Sequence, residues 1–131
     1  MTPADLRLRR TPWRLAIARF SADATPPAWM FHASVEFYSL TRTPHELSIV
    51  CSEDDLPPSV EFNVQRGWAA FEVVGPIPFG LTGVVSGLTA PLAAAGVPVF
   101  VISTYDTDYL LVEVANLATA ERVLMQHFPI D

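Results

Sequence analysis

The sequence predicts an α+β fold in which one strand–helix–strand–strand pattern occurs twice. The chain has 131 residues, enough for one domain of ordinary size or two very small ones. Half of the residues are hydrophobic and only 17% are charged. Such a chain can bury enough apolar surface to offset its conformational entropy, so it is expected to be ordered. Segments with strand and helix periodicity follow each other in the same order in both halves.

The first half of the chain predicts three strands and a short helix. Residues 13–20 alternate between apolar and polar side chains, which is typical of a strand. Pro26 and Pro27 suit the first turn of a helix over residues 28–32, because proline is tolerated there. The remaining predicted elements are a strand over 35–41, a hairpin loop over 42–46, a strand over 47–51 and an acidic, proline-rich connection over 52–59.

The second half predicts a longer version of the same pattern. A strand over 68–74 is followed by a helix over 79–95, whose apolar residues recur at helical spacing. Gly96 fits the left-handed position that ends many helices, and Asn116 can cap the last helix. The remaining predicted elements are a strand over 97–104, a turn over 105–108, a strand over 109–114 and a helix over 117–128.

The two halves align as an internal repeat. Residues 41–50 match residues 103–112 at an offset of 62, which places Glu46 on Asp108. A β-α-β-β unit that ends in a hairpin is most of a ferredoxin-like fold. Such a unit has little core of its own, so we expect two ferredoxin-like βαββ(αβ) halves packed side by side. The predicted boundaries are an N-terminal extension over 1–12, a first half over 13–59 and a second half over 60–131.

Charge and composition exclude several classes of function. The net charge is −6, which argues against nucleic acid or an anionic membrane surface as a partner. All eight basic residues are arginine, so Schiff-base chemistry on lysine and a Walker-type phosphate loop are excluded. Cys51 is the only cysteine, which rules out an intramolecular disulfide and a thiolate zinc cluster. We expect Cys51 to be a buried strand residue.

A long uncharged stretch raises the question of a membrane span. Residues 73–105 contain no charged side chain, yet prolines and glycines interrupt them repeatedly. A spanning helix needs about 20 unbroken apolar residues, so we expect none. Arg14 and Arg19 interrupt the apolar run that a signal peptide would need. The sequence therefore predicts a cytoplasmic protein, and its low charge leaves room for a dimer interface.

No catalytic or metal-binding motif stands out. The three histidines are isolated and lack metal-ligand spacing. The chain has no nucleophile elbow, zinc-protease motif or dinucleotide fingerprint. Glu53, Asp54 and Asp55 fall in a proline-flanked loop that we expect to be solvated. We therefore predict a protein that is not an enzyme and that uses no metal and no cofactor.

Several runs of the sequence resemble ACT domains. They are GPIPFGLTG at 75–83, PLAAAG at 91–96, FVISTYDTDY at 100–109 and, in the first half, FYSLTRT at 37–43. The chain is most similar to small bacterial tandem-ACT proteins, which resemble the animal cytosolic arginine sensors (CASTOR) and the ACT pair of aspartate kinases. The resemblance covers residues 13–128. It implies a βαββαβ fold and a regulatory, non-catalytic protein that binds small effectors, often amino acids, between two ACT units.

Two segments carry groups that suit a zwitterion such as an amino acid. At the start of the predicted long helix, unpaired N–H groups and the positive helix end would hold a carboxylate. Two carboxylates beside two hydroxyls in the predicted turn would hold an ammonium group. The candidate residues are Gly80, Leu81, Thr82 and Gly83 for the anion, and Ser103, Thr104, Asp106 and Asp108 for the cation. Alternatively, the glycines only make a tight turn and the aspartates only bond their own backbone.

The equivalent loop of the first half adds two candidates, Thr41 and Arg42. Arg42 could clamp a carboxylate with two parallel hydrogen bonds, or it could pair with Glu46 on the surface. The sequence differs from the family pattern at one position of the proposed site. Where the arginine sensors have an acidic residue in the glycine loop, this chain has Leu81, which points to a smaller or more apolar effector.

Two functions remain open at this point. The first is a ligand-binding regulatory module, in which an amino acid or a similar small molecule binds between ACT units. The second is a structural module with no ligand, which forms a homodimer or docks an enzyme or regulator.

Overall fold

The computed structural model describes residues 1–32, 34–57 and 63–131. Their strands are β1 Leu8–Arg10, β2 Leu15–Phe20, β3 Tyr38–Arg42, β4 Leu47–Ser52, β5 Val64–Val73, β6 Phe100–Ser103 and β7 Asp108–Glu113. Their α-helices are α1 Val84–Ala94 and α2 Leu117–Met125. Short 3-10 helices lie at Pro3–Asp5, Ala28–Phe31, Glu53–Asp55 and Val114–Asn116. The chain divides into a terminal unit (Met1–Pro12 with Ala69–Asp131) and a central unit (Trp13–Trp68).

The terminal unit is a sheet in the order β1-β5-β7-β6 with α1 and α2 packed on its core. Strands β6 and β7 form an antiparallel hairpin. Strand β1 pairs antiparallel with β5, with Leu8 opposite Val73. Residues 1–12, which the sequence suggested as an extension, thus supply the strand beside β5. The buried core includes Leu8, Phe71, Leu88, Leu110, Val112 and Leu124.

The central unit is a sheet in the order β3-β4-β2-β5, to which β5 contributes residues 64–68. Strand β2 pairs antiparallel with both β4 and β5. The helix predicted over residues 28–32 is the 3-10 helix Ala28–Phe31, which buries Met30. The core of this unit contains Ala16, Ala18, Met30, Leu47, Ile49, Cys51 and Leu56.

Both units have the same strand order, but the predicted alignment of the repeat is wrong by one residue. In β3 and β4, Leu40 lies opposite Ile49 and both contact the central core. In β6 and β7, the core-facing pair is Val101 and Leu110. The offset is therefore 61 rather than 62. Because neighbouring strand residues point to opposite faces, a shift of one residue exchanges core and surface positions.

The hairpin turns give the same offset independently. The amide of Thr43 donates to the carbonyl oxygen of Glu46 at 2.9 Å, and the amide of Thr104 donates to that of Thr107 at 2.7 Å. In each turn the threonine hydroxyl also accepts a hydrogen bond from the amide three residues on. Glu46 therefore corresponds to Thr107, and the predicted match of Glu46 with Asp108 is wrong.

The start of α1 differs from its prediction and its end agrees. The helix begins at Val84 rather than at Phe79, because Gly83 has a φ of +86°, which a helix interior does not accept. At the other end, the amide of Val97 donates to Leu92 O and the amide of Gly96 donates to Ala93 O. This is a Schellman motif with Gly96 at a φ of +73°, so the predicted left-handed stop is confirmed.

Other element boundaries shift by a few residues, with one larger difference. Strand β5 begins at Val64, four residues before its predicted start. Asn116 occupies the N-cap position of α2, but its side chain makes no cap hydrogen bond. The predicted boundary between residues 59 and 60 lies outside the described residues. Within the described residues, no helix has the length and apolar character needed to cross a bilayer.

Candidate functional site

A pocket of about 450 Å³ lies within the terminal unit. Three segments form it: the loop after β5, the first turn of α1, and the turn between β6 and β7. Its lining residues are Ile77, Pro78, Phe79, Leu81, Gly83, Val84, Val85, Ser86 and the run 103–108. The segments that the sequence proposed for the two ends of a zwitterion thus line one cavity.

Close contacts fix the loop after β5 to the β6–β7 turn. The amide of Ile77 donates to Asp106 O at 2.7 Å. The hydroxyl of Thr107, a residue only 8% exposed, donates to Val73 O at 2.5 Å. A Cβ built on Gly75 would lie 3.0 Å from Asp106 O and 3.1 Å from Cβ of Thr107, which is tighter than most real Cβ contacts. A larger residue at position 75 would therefore push the loop and the turn slightly apart.

The first turn of α1, whose residues line the pocket, has amides without partners in the helix. Gly83 is the N-cap, and the first helical hydrogen bond runs from the amide of Gly87 to Gly83 O at 2.9 Å. The amides of Val84, Val85 and Ser86 therefore lack acceptors within the helix. Together with the helix dipole they make this end of the pocket partly positive.

These amides differ from the four that the sequence proposed. Leu81 and Gly83 line the pocket, whereas Gly80 and Thr82 are not among its lining residues. The amide of Leu81 is already used, because it donates to Pro78 O at 3.0 Å. The helix starts later than predicted, so Val84, Val85 and Ser86 add donors that were not among the sequence candidates, while Gly83 is retained as the N-cap.

Part of the pocket lining is acidic. Asp106 and Asp108 are the charged residues among those that line it. The hydroxyl of Ser103 donates to Oδ1 of Asp108 at 2.5 Å. The carboxylate of Asp106 accepts no hydrogen bond from any residue that the structure describes. The hydroxyl of Thr104 is engaged in the turn, where it donates to Thr107 O at 3.1 Å.

Two aromatic side chains are exposed at the pocket. Phe79 is 75% exposed and Tyr105 is 80% exposed. Their rings meet edge to face with a centroid distance of 4.8 Å. Neither was a sequence candidate, because exposure cannot be read from residue type. Aromatic pairs of this kind are usually buried, so their exposure marks a surface that another group could cover.

The two candidates from the first half lie elsewhere. Thr41 and Arg42 end strand β3 in the central unit. The guanidinium of Arg42 donates to the carbonyl oxygens of Ala22 and Ala24. Of the two alternatives for Arg42, the pairing with Glu46 is not what the structure has, since the side chain turns to the loop that follows β2. This contact also uses donors that a carboxylate clamp would need.

The central unit has a smaller cavity of about 250 Å³ that the sequence did not predict. Its aromatic wall is Trp13 and Phe37, whose ring centroids are 4.9 Å apart. The indole of Trp13 donates to a carboxylate oxygen of Glu36 at 2.9 Å. Asp54 and Asp55, expected in a solvated loop, line this cavity too. The lining residues come from three separate segments, which no local pattern brings together.

The chain matches known proteins over both halves. Residues 63–126 match the ACT domain family, and residues 14–59 match a family described only as an N-terminal domain. The human protein named cytosolic arginine sensor for mTORC1 subunit 1 is 33% identical over an alignment of 104 positions that covers 72% of this chain. The chain spans 32% of the length of that relative.

Two solved structures share the fold. The crystal structure of protein Atu0741 from Agobacterium tumefaciens is 37% identical with a TM-score of 0.85, over 96% of this chain and 92% of that one. The ligand-free regulatory subunit of aspartate kinase from Thermus thermophilus has a TM-score of 0.60 over 95% of both chains. Its identity of 13% means that the likeness is one of fold.

Proposed function

Because this chain belongs to the ACT domain family, we propose that it is a regulatory protein that binds an amino acid and catalyses no reaction. One observation carries the proposal: the residues that line a single pocket include the first turn of α1, with its unpaired amides, and the acidic residues Asp106 and Asp108. An α-amino acid has the opposite charges at a short separation. The names of two similar proteins support this proposal, since one is called an arginine sensor and the other is a regulatory subunit.

The carboxylate of the amino acid would bind at the first turn of α1. Val84, Val85 and Ser86 supply amides there, and the helix dipole favours a negative charge. Gly83 carries no side chain, so a ligand can approach the backbone closely. No arginine lines the pocket, so the anion would be held by backbone groups alone.

The ammonium group would bind to the acidic side. Asp106 has a carboxylate with no hydrogen bond from the described residues, and Asp108 keeps one oxygen beyond its bond to Ser103. An ammonium group donates three hydrogen bonds, and bonds between charged partners are the stronger ones. Leu81 packs partly buried against the core. The proposed ligand is therefore a small or apolar amino acid rather than arginine.

We also propose that the ligand lies between two ACT units. The same strand order in the terminal and central units supports a tandem of ferredoxin-like ACT halves. The exposed rings of Phe79 and Tyr105 favour a second ACT unit, of a homodimer or another regulator, as the cover of the pocket. These rings also support the second candidate, a docking module with no ligand. We place the protein in the cytoplasm, in line with the cytosolic relative.

A thermal shift screen against the twenty amino acids tests the proposal. A ligand at 100 times its dissociation constant adds about 2.7 kcal/mol to stability, which raises the melting temperature by several degrees. We expect one small amino acid to do so, and Asp106→Asn and Asp108→Ala to remove the shift.

Asp23→Ala is the matched control, because Asp23 is an exposed aspartate of the central unit that bonds only Ser21 nearby. This variant should keep the full thermal shift. If no amino acid shifts the wild-type protein at millimolar concentration, ligand binding is wrong and the docking function remains. Calorimetry of Asp108→Ala then measures how much affinity that carboxylate contributes.

A further inference from the structure

The first turn of α1 lacks the local contacts that usually fix the start of a helix. The N-cap is Gly83, and no side chain caps the free amides. A serine, threonine, asparagine or aspartate at this position would accept a hydrogen bond from one of these amides and stabilise the helix start. The hydroxyl of Ser86 donates to Gly83 O at 3.2 Å, but this bond uses a carbonyl and leaves the amides free. Contacts from elsewhere in the fold must therefore hold the turn in place.

Residues 2–10, here called the N-terminal arm, supply such contacts. A Cβ built on Gly83 would lie 3.6 Å from Cγ of Pro3, an ordinary contact distance, so the arm lies beside the N-cap. Leu6 is only 2% exposed. It belongs to the same core cluster as Val84 and Leu88, the buried residues of the first two turns of α1.

The arm has a hydrogen-bonded turn of its own at its start and is paired with the sheet at its end. Near its start, a carboxylate oxygen of Asp5 accepts from the amide of Thr2 at 2.7 Å and from its hydroxyl at 3.2 Å. The hydrogen bond from the Thr2 amide lowers the pKa of Asp5 most, and the hydrogen bond from the Thr2 hydroxyl lowers it further. At the other end, β1 pairs with β5. Arg10 also forms an ion pair with Glu121 of α2.

The structure assigns the N-terminal arm a positioning role: it sets where the first turn of α1 lies and so where its pocket-facing amides point. With respect to a ligand, this inference rests on the proposed function. Coupling between two sites is reciprocal in free energy. Docking of the arm should therefore strengthen amino-acid binding, and a bound amino acid should hold the arm in place.

Amide hydrogen exchange of the ligand-free protein, followed by NMR, tests the positioning role. Two amides of the same helix report separately: Gly87 closes its first turn and Val97 bonds to Leu92 O at its end. We expect Leu6→Ala to speed exchange at Gly87 by about 10-fold or more, with a far smaller change at Val97. Equal acceleration at both amides, or none at Gly87, would show that the arm is merely part of the core.

Leu56→Ala is the matched control, because Leu56 is equally apolar, 5% exposed and lies in the core of the central unit. It should leave the ratio of the two exchange rates unchanged. Asp5→Ala serves if Leu6→Ala does not fold, since Asp5 is exposed and its loss frees only the start of the arm. It should speed exchange at Gly87 about 3-fold, whereas Asp23→Ala should not.

The same amides separate failure of this inference from failure of the proposed function. The twenty amino acids are added one at a time to the wild-type protein. If none slows exchange at Gly87, amino-acid binding fails while the Leu6→Ala result still decides the role of the arm. If one amino acid does bind, its dissociation constant should rise several-fold in Leu6→Ala and stay unchanged in Leu56→Ala. Equal constants in all three proteins would overturn the coupling.

Discussion

Cys51 shows how its surroundings determine what one side chain can do. It lies in β4 with no exposed surface, as the sequence predicted. Burial, and then the nearby charge of Asp55, raise the pKa of the thiol to about 11. The thiolate is the reactive form of cysteine, and at neutral pH very little of it is present. Because the folded state holds this proton more tightly, it loses stability as the pH rises above the usual range of thiols.

We predict that iodoacetamide at pH 8 labels Cys51 of the native protein at least about 100-fold more slowly than a free cysteine. Mass spectrometry at timed intervals measures the rate. The same protein in urea is the control and should be labelled completely. Rapid labelling under native conditions would mean that the thiol is accessible and its environment differs from that described.

Helix α1 is bounded by two glycines that play different structural roles. Gly83 and Gly96 both have positive φ. Gly96 closes the Schellman motif, which uses two of the last carbonyl oxygens of the helix. Gly83 starts the helix beside Pro3 of the N-terminal arm. Both ends of α1 are thus fixed by backbone geometry rather than by a polar side chain, and the start depends on tertiary packing as well.

We expect Gly96→Ala to lower the free energy of unfolding by about 1 kcal/mol, because alanine in the left-handed region is strained. Urea denaturation measures the change. Gly80→Ala is the control: Gly80 has open space for a Cβ and no positive φ, so its replacement should change stability very little. Equal effects of the two substitutions would contradict the role given to backbone conformation.

Over the whole molecule, the repeated pattern is visible in the hairpin turns and in the strand order. Thr43 and Thr104 hold equivalent turns with the same backbone hydrogen bond and the same hydroxyl acceptor. In each unit, the strand before the helical segment lies between the second strand of the hairpin and a closing strand. The terminal unit takes its closing strand, β1, from the start of the chain.

If the two turns are equivalent, Thr43→Val and Thr104→Val should destabilise the protein alike. Each removes a hydroxyl that accepts a backbone hydrogen bond, so we expect a loss of about 1 kcal/mol in each case by urea denaturation. Thr82→Val is the control, because Thr82 is exposed and its hydroxyl bonds no residue that the structure describes. A loss in only one of the two turn variants would argue against equivalent turns.

Part of the candidate site could be predicted from short sequence patterns. The FVISTYDTDY run predicted a turn with two aspartates, and both aspartates line the pocket. The start of α1 was predicted too early, because the helical spacing of apolar residues continues back to Leu81. The backbone, however, leaves the helical conformation at Gly83, where φ is positive. The partners of Arg42 were missed, since the carbonyl oxygens it reaches lie 18 and 20 residues away.

The sequence by itself determined the order of most elements, the left-handed end of α1 and the membership of the ACT domain family. The first two depend on hydrogen bonds and side-chain periods that extend over only a few residues, and the family was predicted from the resemblance of short runs such as FVISTYDTDY. Only the tertiary structure decided the pairing of β1 with β5, the repeat offset of 61 and the meeting of helix amides with acidic side chains in one pocket. These depend on contacts between residues far apart in the chain, which packing of the core selects and no local pattern encodes.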